Sequence, residues 1–221
     1  MKLNKWIIVF DLDDTLFPEK EYFFSGISYV EEFITDLYKV PFNGEIFKAY
    51  KKGVKDLWGW SSKKLELPLE TKESFLWLYR NHNPKIKLFP GIIDLFDELN
   101  KLDVKVVILT DGRSVTQRLK IKALNLDCLP LYISEEYSSI KPKKKRFKSI
   151  QKTWKGSKFA YIGDNVNKDF IAPKDLNWLC IGADWCEDKI HNDLKSDKSI
   201  EPKIWLKEPI DLIKILKQEI I

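Results

Sequence analysis

The sequence predicts an α/β domain, a doubly wound parallel sheet flanked by helices, with a small helical insertion. Three observations predict it. Short, continuously apolar runs recur along the chain, each ending in a polar or turn residue, as strands buried on both faces do. Most are separated by segments with the apolar spacing of amphipathic helices. About 70 residues after the first run break the alternation and carry helical periodicity alone.

The predicted strands are "WIIVF" (6–10), "VKVVILT" (104–110), "LYIS" (131–134), "KFAYIG" (158–163), "WLCIGA" (178–183) and "KIWL" (203–206). Between them, "GIIDLFDELNKL" sets Ile92, Leu95, Phe96, Leu99 and Leu102 on one helical face. "SVTQRLKIKALNL" begins with Ser114, an N-cap candidate. In "EPIDLIKILKQEI", Pro209 stands at a helix start, where its missing N–H does no harm. Within the insertion Phe23, Ile27, Val30, Ile34 and Leu37 recur at helical spacing, and Ile46, Tyr50, Val54 and Leu57 continue the pattern. "ETKESFLWLYR" forms a third helix, apolar almost all round from Phe75 to Tyr79. The predicted organisation is a core of residues 1–17 and 86–221 with a helical domain, 18–85, inserted into it.

Composition narrows the function classes. Hydrophobic residues at 44% and charged residues at 32% suit a globular protein and exclude a disordered one. A net charge of +5 favours anionic small substrates and is too weak to imply DNA binding. The three cysteines, Cys128, Cys180 and Cys186, contain no CxxC pair, and the two histidines, His82 and His191, are far apart. Neither a disulfide framework nor a zinc site follows, so the expected location is the cytoplasm. The N-terminal apolar run is too short for a signal segment, and no run approaches the roughly 20 residues of a membrane span.

Chemistry concentrates just beyond the strand C-terminal ends, where open α/β sheets gather ligands. "DLDDT" follows the first strand with Asp11, Asp13, Asp14 and Thr15. "TDGRS" ends the second with Thr110, Asp111, Gly112, Arg113 and Ser114. Lys141 lies beyond the third, and "GDNVNKD" follows the fourth with Asp164, Asn165 and Asp169. Carboxylates from two strands suit a hard cation such as Mg²⁺. A threonine hydroxyl, neighbouring amides and a lysine suit a phosphate, and a spare carboxylate can shuttle protons.

These four clusters, "DLDDTLF", "ILTDG", "IKP" and "GDNVNKD", resemble in order the four motifs of the haloacid dehalogenase superfamily. "FPGI" and "TQRLKIKALNL" resemble its phosphatase branch, and the insertion resembles that branch's helical cap. The resemblance implies a Rossmann-like core and a Mg²⁺-dependent phosphatase acting on a small phosphorylated metabolite, a sugar phosphate or nucleotide monophosphate. Neither nucleic acid nor membrane is an implied partner. Asp11 would be the nucleophile that forms an aspartyl phosphate, and Asp13 the general acid and base. Asp11 and Asp164 would ligate the metal through side chains and Asp13 through its carbonyl. Thr110, Lys141 and the residues 111–112 would bind phosphate, and Arg113 the rest of the substrate. Asp169 and Asn165 would stand behind them, orienting Lys141 or a metal-bound water. An acid at 13 separates this pattern from dehalogenases and leaves a phosphomutase as the enzymatic alternative. Val166, "IAPKDLN" and Asn177 depart from the usual fourth motif without removing a chemical group.

The run "KPKKKRFK" (141–148) admits two readings. Alone it resembles a nucleic-acid patch. In this chain Lys141 falls at the cleft, while Lys143, Lys144, Lys145 and Arg146 are expected in the first turns of the helix that follows, as a solvated face or as a positive rim that draws in an anionic substrate. His82 is expected at a surface hinge. Phe17, Phe23, Phe24 and Trp77 are candidates for the wall of a substrate pocket.

Overall fold

A computed structural model of the chain describes residues 5–137, 142–187 and 201–218. It divides into two compact units, Met1–Glu19 with Lys87–Ile221, and Lys20–Ile86. The strands are β1 Trp6–Phe10, β2 Lys105–Thr110, β3 Leu131–Ile133, β4 Lys158–Gly163, β5 Leu179–Ala183 and β6 Ile204–Leu206. The helices are α1 Glu19–Tyr38, α2 Glu45–Lys51, α3 Leu57–Lys64, α4 Thr71–Asn81, α5 Ile92–Lys101, α6 Ser114–Ala123, α7 Pro142–Thr153, α8 Val166–Asp169, α9 Ile171–Lys174 and α10 Leu212–Gln218.

All strands of the first unit are parallel, in the order β3-β2-β1-β4-β5-β6. Every apolar run is a strand, with ends within one residue of those expected. The reason is two-sided burial, since all of β1 is buried. Side chains alternate across the sheet. Ile7 and Val9 join Val107, Leu109, Phe159 and Tyr161 on one face, packed with Phe147 and Ile150 of α7. Phe10 points the other way and meets Phe96 of α5 edge to face, centroids 5.4 Å apart. Each fully buried side chain of this size contributes about 1.5–3 kcal/mol. Among the described residues, no helix is long and apolar enough to cross a membrane.

Helix starts depart from the local pattern. Ser114 is the first residue of α6 and not its cap. Arg113 holds the N-cap with extended backbone and no side-chain bond. The Ser114 N–H donates instead to the Glu135 carboxylate at 2.7 Å. That carboxylate complements the helix dipole from another segment, which no local motif reveals. Pro209 opens a 3₁₀ turn, Pro209–Asp211, that leads into α10. Asn177 adopts φ 57°, a left-handed conformation that asparagine tolerates.

The second unit has its own core of Ile27, Val30 and Ile34 from α1, with Phe42, Ile46, Ala49, Leu57 and Phe75. Leu37 and Tyr50, expected on the apolar faces, are exposed. The pattern read as one helix through Leu57 is broken into α2 and α3, with Gly53 at φ 81° between them. In α4 only Phe75 is buried, and Trp77 is 64% exposed. Adjacent helical residues point about 100° apart, so an apolar run cannot turn wholly toward one core. Glu31 is buried and caps α2, accepting the N–H groups of Gly44 at 2.8 Å and Ile46 at 2.6 Å. His82 corrects a second expectation, for it is buried rather than at the surface. Its Nδ1 lies 2.7 Å from the Tyr79 carbonyl and its Nε2 3.1 Å from Ser25 Oγ, so it ties the chain after α4 to α1. Phe23 and Phe24 belong to an aromatic cluster with Tyr50 and Phe47.

None of the three cysteines forms a disulfide, and Cys128 is exposed while Cys180 and Cys186 are buried. Burial pushes the Cys180 thiol up to about 11. Because the thiolate is the reactive form, a thiol reagent at about pH 8 is expected to titrate one cysteine quickly in the native protein. Denaturant is expected to raise the count to the full three. A fast second thiol would show that the β5 end opens in the native state.

Candidate active site

Register brings the predicted clusters to one edge. Phe10 pairs with Ile108 on one side and Ile162 on the other. Carrying these pairings two residues onward sets Thr110 and Asp164 level with the start of the loop after β1. Strand order reverses between β1 and β4, which makes this edge the topological switch point, where open α/β sheets form a ligand crevice.

The loop 11–17 is held from below and from within. The Asp11 N–H donates to the Ile162 carbonyl at 2.8 Å, so Asp11 is still laddered to β4. The Asp14 N–H donates to the Phe17 carbonyl, and Leu16 N–H to that of Leu12. Leu12, Thr15, Leu16 and Phe17 are completely buried. Asp14 has φ 53° and accepts the Glu19 N–H at 2.8 Å. Trp185, beyond β5, donates its indole N–H to the Thr15 carbonyl at 2.9 Å. A loop so anchored presents Asp11 and Asp13 with little freedom.

Carboxylate oxygens of Asp11, Asp164 and Asp169 all lie within 4.8 Å of one another. Asp169, expected to stand behind the ligands, is buried yet has an oxygen in the same cluster. Its other role is local, since Oδ2 accepts the Asn165 N–H at 2.9 Å. Gly163 leaves room for it, because an added Cβ would lie 2.6 Å from Asp169 Oδ2. Asn165 caps α8, its side chain accepting the Asn167 N–H at 3.1 Å. Tyr161, beneath the cluster, has its phenol pushed well above the ordinary value by burial and then by the charges of Asp169, Asp11 and Asp111. Three carboxyl groups this close favour a bound cation. Hard oxygen donors at this spacing fit Mg²⁺, whose ligands stand about 2.0–2.1 Å from the ion.

Asp13 faces other partners. Lys120 of α6 donates to Oδ1 at 2.7 Å and Gln117 Nε2 to Oδ2 at 3.0 Å. The Lys120 side chain is 5% exposed, so this ion pair is little screened by water. Lys120 also lies over the Phe17 ring, 5.7 Å from its centre. Gln117 Nε2 further contacts Thr110 Oγ1 at 3.1 Å and the Asp111 carbonyl at 2.6 Å, linking the two loops. Gly112, at φ 144°, makes room for it, since a Cβ there would lie 2.7 Å from Nε2. Neither Lys120 nor Gln117 is singled out by the sequence motifs. Their one visible signal is a spacing of three, which places them on one face of α6.

The remaining candidates are dispersed. Thr110 is buried at the end of β2 with its hydroxyl beside Gln117. The Gly112 N–H is already engaged by Ser134 Oγ at 2.8 Å. Arg113 is exposed at the start of α6. Lys141 lies outside the described residues, as does the side chain of Lys143. Lys144 and Lys145 are exposed as expected, Lys144 paired with Asp175 at 2.7 Å. Arg146 is not, for it is fully buried. Its Nη1 donates to the Thr110 carbonyl at 2.7 Å and its Nη2 pairs with Asp111 Oδ1.

Comparison with known proteins finds relatives along most of the chain. A family profile described as haloacid dehalogenase-like hydrolase matches residues 7–177. The chain is 27% identical over 228 residues to a glyceraldehyde 3-phosphate phosphatase of Methanocaldococcus jannaschii, covering 96% of this chain and 98% of that one. It superposes on the magnesium-bound HAD-hydrolase YfnB of Bacillus subtilis with a TM-score of 0.65 at 16% identity, covering 96% and 99% of the two chains. A predicted phosphoglycolate phosphatase from Haemophilus somnus gives a TM-score of 0.64 at 18% identity, covering 97% and 99%. At these identities the two structures show a shared fold.

Proposed function

This chain belongs to the haloacid dehalogenase-like hydrolases, and from that premise we propose that it is a Mg²⁺-dependent phosphatase acting on a small sugar phosphate or nucleotide monophosphate. The observation that carries this reading is the Asp11, Asp164 and Asp169 cluster at the switch point, with Asp13 held apart from it by Lys120 and Gln117. One carboxylate is thereby set to attack and a second to move protons.

Asp11 attacks phosphorus, the phosphorus–ester oxygen bond breaks, and Asp13, protonated in the substrate complex, gives its proton to the leaving oxygen. Asp13 then takes a proton from water, whose oxygen attacks the aspartyl phosphate and releases phosphate with Asp11 restored. Thr110 Oγ1, the Asp111 amide and Lys141 hold the phosphoryl oxygens. Asp11, Asp164 and the Asp13 carbonyl would hold the Mg²⁺, with the Asp169 carboxylate beside them. Bound there, the ion offsets the charge of phosphate beside carboxylate.

The unit Lys20–Ile86 serves as the cap. The chain leaves the core just after the nucleophile loop and re-enters it just before Phe89, whose N–H donates to the Leu16 carbonyl at 2.9 Å. A helical cap acting as a lid would exclude water and bulky phosphoproteins, which supports a small substrate. The relative from M. jannaschii points within that class to sugar phosphates.

The test is phosphate release from para-nitrophenyl phosphate and a phosphometabolite panel with Mg²⁺. A wild-type rate no higher than that of Asp11→Asn overturns the reading. A long-lived phosphoenzyme with isomerisation and little free phosphate identifies a phosphomutase instead. Lys120→Met is expected to lower kcat/KM for alkyl phosphates about tenfold or more, and less for aryl esters whose leaving groups need no proton. An equal loss on both ester types would remove Lys120 from the positioning of Asp13.

A further inference from the structure

We propose that Arg146 is a positioning residue of the phosphate site: its buried guanidinium cancels the charge of Asp111 and fixes the loop after β2, so that a loop carrying a carboxylate can accept an anion. This rests on the reading that residues 110–111 hold the phosphoryl group.

Asp111 directly follows Thr110, and its side chain is 45% exposed beside the site. An unpaired carboxylate there would repel a phosphoryl dianion. Arg146 answers it from the protein interior. Its side chain is 0% exposed. A guanidinium does not give up its proton, so burial makes this a permanent positive charge. Its two donor contacts fall on consecutive residues of one loop, the Thr110 carbonyl and the Asp111 carboxylate. The first fixes the peptide whose N–H belongs to Asp111, and the second neutralises the side chain that follows. Helix α7 sets the position, because Phe147 and Ile150 anchor it in the core and Arg146, also buried, lies one turn before Ile150. A plain structural staple would use the same contacts, so the charge itself is what must be tested.

The experiment measures binding of inorganic phosphate to the full chain with Mg²⁺ by calorimetry, at about 0.05 and 0.5 M salt. Arg146→Gln is expected to weaken phosphate binding about tenfold or more, and Arg146→Lys, which keeps the charge, about threefold or less. Asp111→Asn alone is expected to tighten binding several-fold at low salt, with the gain shrinking at high salt. The double variant Asp111→Asn with Arg146→Gln should return to within about threefold of wild type. A double variant as weak as Arg146→Gln alone, or an Asp111→Asn protein that binds phosphate more weakly than wild type, overturns the proposal. So does a wild type that binds no phosphate. Should the Arg146 variants fail to fold, Asp111→Asn at the two salt concentrations still decides. If wild type binds phosphate with these trends but hydrolyses no ester, the phosphatase reading fails and the charge pairing stands.

Discussion

Asp11→Asn is expected to abolish turnover, by at least about 10⁴-fold in kcat, because it removes the attacking group and not merely its support. The amide has the shape of the carboxylate but no negative oxygen to offer phosphorus. The residual rate would be that of water attacking directly in a preformed site. The fold should survive the change. Asp11 lies in a cluster of three carboxylates whose oxygens are all within 4.8 Å, and replacing one with a neutral group relieves like-charge repulsion. Steady-state phosphate release, a rapid-quench search for phosphoenzyme and a thermal melt check the three parts. Turnover above about 1% of wild type, or a phosphoenzyme in the variant, would assign the nucleophile elsewhere.

Removing the metal should have the next largest effect. Chelation is expected to lower phosphate release about 10³-fold or more, and Mg²⁺ to restore it. Without a cation, a phosphoryl dianion must approach Asp11, Asp164 and Asp169 together, and the repulsion of like charges at such distances amounts to several kcal/mol. Asp164→Ala should raise the Mg²⁺ concentration for half-maximal rate about 100-fold. Asp169→Ala tests whether that carboxylate ligates or only supports. It also accepts the Asn165 N–H, so its loss should lower the melting temperature without metal. Activity that survives exhaustive chelation would separate the acidic cluster from the chemistry.

The strands were legible because two-sided burial writes a continuous apolar run into the chain, and six runs correspond to six strands. The insertion was less legible. One-sided packing needs only part of each apolar pattern, so Leu37, Tyr50 and Trp77 remain exposed although their spacing matched. Arg146 shows the same limit inside a charged run. Composition groups it with its lysine neighbours, yet it stands next to Phe147 and four residues before Ile150, on the buried face of α7. A cation on that face is stable only if the fold supplies partners, and those lie 36 and 35 residues away in sequence.

The sequence by itself determined the parallel sheet, the strand ends where chemistry gathers and the carboxylates that stand there, because burial and motif spacing are local. Tertiary structure alone decided the partners of those groups. Lys120 and Gln117 reach Asp13 across more than a hundred residues, Glu135 caps α6 from another loop, and Arg146 meets Asp111. Each is an electrostatic or hydrogen-bond pairing between distant segments, set by where the folded backbone places its donors and acceptors rather than by the residues beside them in the chain.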